Sequence, residues 1–328
     1  MKRCRLSPSG AVVGGLVLTI AANAVVWNRT HSVGQAALVV CPGAAFTMML
    51  LLGCDRVLER LQDWVESRPP RLIAVPAAFW LLYVIYAVGT GIADTTATAT
   101  MAGYVGFPFL ALWLPRKAVT RLWVESLVML WIWLPLEFGI IRRILITATP
   151  GGDFHYAFAQ LIAIDTAITA FALRSRTPDI GYRFEWDREI GVNGITNFLV
   201  FAVIAIPLGL AIHFLQYSFS VSKLVPAPLS FAGIFLFTAL PEEFLFRGLI
   251  QNWIERVTDS RKISLVAGSV IFGASHLNNG PPMPNYSYFL MASIAGIFYG
   301  RAWRNTGSLM TSSLTHALVD TFWSVFFR

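Results

Sequence analysis

The stretch ALPEEFLFRGL, residues 239–249, decides how this chain is interpreted. Glu242 and Glu243 stand side by side within an otherwise apolar run, and Arg247 follows one helical turn later. Ionisable side chains inside a membrane span are costly, and those that occur there are usually functional. The stretch therefore predicts a membrane helix that carries chemistry.

The composition places this helix in a membrane protein. Of the 328 residues, 56% are hydrophobic and only 13% are charged, whereas soluble domains carry roughly 25% charged residues. Lipid offers no hydrogen bonds to an unpaired backbone, so the spans should be helices. With about 20 apolar residues needed for each span, we predict an all-α, polytopic transmembrane helical bundle of roughly 9–11 spans.

The basic residues predict how the spans are oriented. If the N-terminus is cytoplasmic and the spans alternate, 19 of the 25 Lys and Arg residues lie in cytoplasmic pieces, five lie outside, and Arg247 lies within a span. This bias follows the positive-inside rule. We therefore expect a multi-pass integral protein of a bacterial inner membrane with a cytoplasmic N-terminus. The net charge of +7 reflects these loops, and we expect no nucleic-acid partner.

Spacing suggests how the ionisable residues pair. Glu243 and Arg247 are four residues apart, so on one helix they face each other as an ion pair. Glu242 is rotated from Glu243 by about 100° and is available to face a cavity. His316 and Asp320, in HALVD, also share one helical face, so Asp320 could orient His316.

Each of these groups also has a purely structural explanation. The Glu–Arg pair could be a helix clamp, and the His–Asp pair could be a packing hydrogen bond. His276, in FGASH, could lie at the membrane interface. Their combination in three separate apolar segments favours chemistry over packing.

In this order the motifs resemble those of the CAAX prenyl endopeptidase and bacteriocin-processing (CPBP) family of intramembrane proteases, also grouped as Abi-like. The family pattern is EExxxR, FxxxH and HxxxN/D, and this chain has EEFLFR at 242–247, FGASH at 272–276 and HALVD at 316–320. The resemblance implies a protease core over 191–328, preceded by additional N-terminal transmembrane helices over 1–190.

The resemblance also implies roles for individual residues. Glu242 and His276 would activate a water molecule, and His316 and Asp320 would stabilise the oxyanion. Arg247 would anchor Glu243, and Phe272 would support the site. The expected partners are the lipid bilayer and a peptide or protein substrate within it.

Asp320 leaves three alternatives open, because the family position accepts either Asn or Asp. An ionised Asp cannot donate a hydrogen bond to an oxyanion. Asp320 is therefore protonated through burial, or it acts on His316, or it is a metal ligand. Glu242, His276, His316 and Asp320 would form an acceptable zinc set, although the chain contains no HExxH. The hydrolase would accordingly be glutamate-dependent or metal-dependent.

Two other classes of function compete with the peptidase. The first is a non-catalytic maturation or immunity factor that keeps the same scaffold. The second is a proton-coupled transporter whose buried acids relay protons. No second half of the sequence mirrors the first, as the repeats of many transporters would. The presence of all three motifs favours the peptidase.

Overall fold

The computed structural model describes residues 4–30, 36–113, 117–141, 152–175 and 177–328. These residues form two compact units. One runs from Leu6 to Thr177, and the other from Pro178 to Arg328 together with the N-terminal residues up to Arg5. Helices make up nearly all the regular structure, which confirms the all-α class. The division at residue 190 stays a prediction.

The first unit contains seven described helices. Helices α1 and α2 pack closely, since a Cβ built on Gly15 or Gly43 would collide with Thr47 or Thr19 of the other helix. Small residues allow such close approach between membrane helices. The helices are α1 (Pro8–Thr30), α2 (Ala36–Leu52), α3 (Asp55–Ser67), α4 (Ala74–Thr90), α5 (Thr95–Trp113), α6 (Ala118–Glu137) and α7 (Gly152–Thr169), with a 3-10 turn at Pro69–Ile73 and a π-helical turn at Ala170–Ser175.

The second unit is built around five helices and one small sheet. Helix α11 packs against α8, α10 and α12. The two-stranded sheet is antiparallel, with Cys4 opposite Trp186. The elements are β1 (Cys4–Arg5), β2 (Glu185–Trp186), α8 (Arg188–Ala211), a 3-10 turn (Val221–Lys223), α9 (Ala227–Thr258), α10 (Arg261–Ala274), α11 (Tyr286–Thr306) and α12 (Leu309–Phe326).

Short polar side chains start the helices of the second unit. Each accepts a hydrogen bond from a backbone N–H of the first turn, which would otherwise lack a partner. Between α11 and α12, Gly307 has φ +66°, a conformation that favours glycine. The capping residues are Asp187 for α8, Ser260 for α10, Asn285 for α11 and Ser308 for α12.

Helix α9 changes its hydrogen-bonding pattern around the two glutamates. It is π-helical over Phe235–Ala239 and again over Phe244–Gln251, with an α-helical turn, Leu240–Glu243, between them. Pro241 lacks the N–H that a regular helix would use. Such π-helical turns often occur at functional sites. The structure thus interrupts the regular helix on both sides of Glu242 and Glu243.

By length and apolarity alone, five of the described helices can cross a membrane. The bent pair α2–α3, with an angle of 94° between the two helices, would make a sixth. Helices α10 to α12 are outside this set, because α10 is short and the other two carry Ser, Thr, Arg, His or Asp residues. The five are Pro70–Thr90, Val119–Glu137, His155–Leu173, Arg188–Ala211 and Ala227–Thr258.

Candidate active site

Four ionisable residues line a single cavity of about 270 Å³ in the second unit. Glu242 comes from α9, His276 follows the end of α10, and His316 and Asp320 come from α12. The Glu242 and Asp320 side chains are 35% and 31% exposed. Most of the wall is apolar or aromatic, including Phe198, Phe201, Phe214, Met291, Phe322 and Trp323.

Beside the cavity, Glu243 and Arg247 form the ion pair that their spacing predicts. The Arg247 Nε donates to Glu243 Oε2 over 2.9 Å, and both side chains are completely buried. The guanidinium also lies over the rings of Phe272 and Tyr299, 5.0 and 5.9 Å from their centroids. The charge is thus enclosed by one carboxylate and two aromatic faces, which favour a cation.

The second oxygen of Glu243 reaches His316. His316 Nδ1 lies 3.0 Å from Glu243 Oε1, and Nδ1 is the donor because an ionised carboxylate only accepts. Tyr299 stacks on the imidazole with a centroid distance of 4.5 Å and an interplanar angle of 15°. Sequence reasoning missed this contact, because helical spacing predicts pairs within a helix and Glu243 and His316 come from different helices.

The other imidazole nitrogen of His316 faces the cavity. Its Nε2 lies 3.4 Å from Asp320 Oδ2 and 3.9 Å from Glu242 Oε2. The ring is therefore fixed from both sides, by Glu243 at Nδ1 and by the cavity carboxylates at Nε2. Asp320 is close enough to orient the His316 ring, as the spacing suggests. Glu243 also orients this ring, from its Nδ1 side.

His276 is held by its own helix. Its Nδ1 lies 2.9 Å from the carbonyl oxygen of Phe272, and a carbonyl only accepts, so Nδ1 carries the proton. In the neutral ring this leaves Nε2 with a lone pair that can take up a proton. The ring packs between Phe272 and Tyr288, with centroid distances of 4.8 and 4.7 Å.

The four cavity residues do not converge as a metal site. Among the residues that the structure describes, no three His, Cys, Asp or Glu side chains are placed to hold one ion. The zinc set named from the sequence stays a hypothesis.

The four acidic and histidine residues of the cavity lie in a part of the chain that is similar to known proteins. The family model for Type II CAAX prenyl endopeptidase Rce1-like matches residues 224–322. This Rce1-like segment, less than a third of the chain, is similar to that family. All three motifs lie inside the match, which confirms the resemblance seen in the sequence and supports a membrane protease at the family level. No curated protein and no solved structure gives a match to the chain.

The Rce1-like segment also brings polar residues to the cavity that sequence reasoning passed over. Asn279 and Tyr288 both line it. Asn279 could have been identified from the sequence, because it lies three residues after His276, in HLNNG. Tyr288 gave no signal, because its position depends on the turn that joins α10 to α11.

Proposed function

We propose that this protein is an intramembrane endopeptidase that hydrolyses a peptide bond with a water molecule activated by Glu242 and His276. The observation that carries the proposal is the single cavity shared by these two residues with His316 and Asp320. A Glu carboxylate in an apolar environment can be tuned to act as a base near neutrality. Glu243 cannot readily take this role, because Arg247 and His316 engage it.

The reaction begins when water attacks the carbonyl carbon of the scissile bond. Glu242 takes one proton from the water as the new C–O bond forms, and the carbonyl π electrons move onto oxygen. His276 Nε2 orients the water as a hydrogen-bond acceptor. When the tetrahedral intermediate collapses, the C–N bond breaks and the proton held by Glu242 passes to the leaving nitrogen. The products are a carboxylic acid and an amine, and transfer of the acid proton to the amine leaves a carboxylate and an ammonium group.

His316 supports the charge that develops on the carbonyl oxygen. Its Nε2 faces the cavity, and a protonated Nε2 would donate to the oxyanion, which is a form of electrostatic stabilisation that contributes strongly in hydrolases. Glu243 and Tyr299 keep the ring from turning. Asp320 adds either a hydrogen bond from its protonated form or further orientation of His316.

The apolar cavity wall fits a peptide or protein substrate that lies within the bilayer. The two carboxylates line the cavity, while Phe198, Phe201 and Phe322 give the substrate an apolar environment. We place the reaction in a bacterial inner membrane, where the protein has a cytoplasmic N-terminus. The positive-inside distribution of Lys and Arg supports this orientation.

Substitution of Glu242 tests the function. Glu242→Gln keeps the shape of the side chain but cannot accept the proton, so we expect cleavage to fall by about 10²–10⁴-fold while insertion and purified yield stay normal. The measurement compares the termini of membrane and secreted peptides from cells that express wild type or the variant, and then the rate on an identified peptide.

Glu189→Gln is the matched control, because Glu189 is an exposed glutamate on α8 of the same unit. It should cleave like wild type. Full activity of Glu242→Gln would show that Glu242 is not the base. If wild-type cells yield no new termini, the protein is a non-catalytic factor or a transporter.

A further inference from the structure

Tyr288 places a phenol hydroxyl in the cavity among the proposed catalytic residues. Its ring packs against His276 and Trp323, at centroid distances of 4.7 and 5.5 Å. The carboxylates of Asp320 and Glu242 line the same cavity. Tyr288 therefore shares this cavity with charged groups from α9 and α12 and with the imidazole that follows α10.

Asn279 lines the same cavity as Tyr288. The phenol O–H of Tyr288 can donate a hydrogen bond.

Asn285 holds both residues in place. Its Oδ1 accepts from the backbone N–H of Tyr288 over 2.9 Å, and its Nδ2 donates to the backbone carbonyl of Asn279 over 3.0 Å. Its own backbone N–H donates to the carbonyl of Leu277 over 2.7 Å. One side chain thus caps α11 and ties it to the turn that follows His276. The hydroxyl is preorganised before any substrate arrives.

The chemistry requires such a donor. Peptide hydrolysis places a negative charge on the carbonyl oxygen, and an ionised Asp320 cannot donate to it. A tyrosine hydroxyl donates without gaining or losing a net charge. Preorganised donors aimed at the oxyanion contribute strongly to hydrolysis of this kind.

We propose that the Tyr288 hydroxyl is a catalytic hydrogen-bond donor to the oxyanion, alongside His316. As water adds to the carbonyl carbon and Glu242 takes its proton, the oxygen that receives the π electrons accepts the Tyr288 O–H. Tyr288 keeps its proton throughout, and the hydrogen bond weakens when the C–N bond breaks and the carbonyl re-forms. This inference rests on the proposed endopeptidase function.

The test replaces Tyr288 by Phe, which removes only the hydroxyl and keeps the ring against His276 and Trp323. Tyr286→Phe is the matched control, because Tyr286 lies two residues earlier with 69% of its side chain exposed. On a peptide that wild type cleaves and Glu242→Gln does not, we expect Tyr288→Phe to lower kcat by about 10²–10³-fold. KM should change by less than about threefold, because the hydrogen bond forms in the transition state.

A second variant serves if the Phe protein folds poorly. Incorporation of 4-fluorophenylalanine at position 288 fills the space of the hydroxyl but cannot donate a hydrogen bond. We expect kcat to fall as far as in Tyr288→Phe, whereas a merely structural role of Tyr288 would leave kcat at the wild-type value.

The outcomes separate this inference from the proposed function. Wild-type kcat in Tyr288→Phe, with Glu242→Gln inactive, would overturn the role of Tyr288 alone. A rise in KM with unchanged kcat would show that Tyr288 only contacts the bound substrate. That result would also overturn its catalytic role. Absence of any cleavage by wild type would overturn the endopeptidase function and this inference with it.

Discussion

At the scale of single residues, Glu243 joins two helices through its two oxygens. Oε2 accepts from Arg247 within α9, and Oε1 accepts from His316 of α12. All three side chains are at least 96% buried. A buried charge without its partner is strongly destabilising, so these contacts link the stability of the second unit to the geometry of its cavity.

Removing either charge should therefore destabilise the protein. We expect Glu243→Ala and Arg247→Ala each to lower the free energy of unfolding by about 3–5 kcal/mol, because each leaves a charged partner buried. Thermal and denaturant unfolding in one detergent would measure this. The control is Arg261→Ala, since Arg261 pairs with Glu255 at 3.4 Å but is 86% exposed. Exposed pairs contribute about 0–1 kcal/mol. Wild-type stability of both buried variants would refute the buried pair.

Asp320→Asn distinguishes the three roles of that residue. We expect the variant to retain activity within about tenfold, because Glu243 still orients His316 at Nδ1 and Asn supplies an N–H donor. The rate on the identified peptide, with and without a chelator, is the measurement. The control is Asp259→Asn, because Asp259 is an exposed residue on the turn between α9 and α10.

Other results with Asp320→Asn would assign a different role. Strong inactivation without a change in chelator sensitivity would assign Asp320 to orienting His316. Inactivation with increased chelator sensitivity would make Asp320 a metal ligand. Either result would contradict the expectation above.

At the scale of secondary-structure elements, the crossing of α10 and α11 positions His276. A Cβ on Gly273 would lie 2.6 Å from the carbonyl oxygen of Phe289 and closer still to Ser293 Oγ. Real Cβ atoms do not approach backbone this closely, so the helices would have to move apart. Gly273 lies less than one turn before His276, and the cavity therefore depends on the absence of a side chain here.

Gly273→Ala tests this crossing. We expect a loss of stability of about 1–3 kcal/mol from overpacking and a drop in activity as His276 is displaced. Gly233→Ala in α9 is the matched control, because a Cβ there meets nothing within 4 Å. Alanine is favoured over glycine in a helix by about 1 kcal/mol, so this control should be as stable as wild type or slightly more so. Equal behaviour of the two variants would contradict the close crossing.

Some features of the helices could be predicted from the sequence and others could not, for physical reasons. Apolar runs and four-residue spacing predicted the helical class and the Glu243–Arg247 pair, because both depend on neighbours along the chain. The contact between Glu243 and His316 spans 73 residues, and the position of Tyr288 depends on a turn held by Asn285. The π-helical turns of α9 were also not predicted, since Pro241 indicates only that the regular hydrogen bonds are broken.

At the scale of the whole molecule, the distribution of charge predicts which loops face the cytoplasm. The turn between α9 and α10 is flanked by Arg256, Arg261 and Lys262, whereas residues 212–226 between α8 and α9 contain a single Lys or Arg, Lys223. The positive-inside rule places the first on the cytoplasmic side and the second outside. Their opposite locations follow because α9 is long and apolar enough to cross the membrane.

Cysteine labelling tests this orientation. In a background in which Cys4, Cys41 and Cys54 are replaced, Ser222→Cys should react with a membrane-impermeant maleimide in intact spheroplasts. Thr258→Cys should react only after the membrane is opened. Both positions are exposed, so the two variants control for each other. The reverse pattern would overturn the predicted orientation.

The aromatic wall around the carboxylates has a practical consequence for enzymology. A cavity of about 270 Å³ lined by Phe, Met and Trp side chains will admit the alkyl chain of a detergent as readily as an apolar part of a substrate, since burial of apolar surface does not depend on which molecule supplies it. In micelles we therefore expect the solubilising agent to compete with the substrate at high concentration. Variants should be ranked in lipid nanodiscs, where no free surfactant competes for the site.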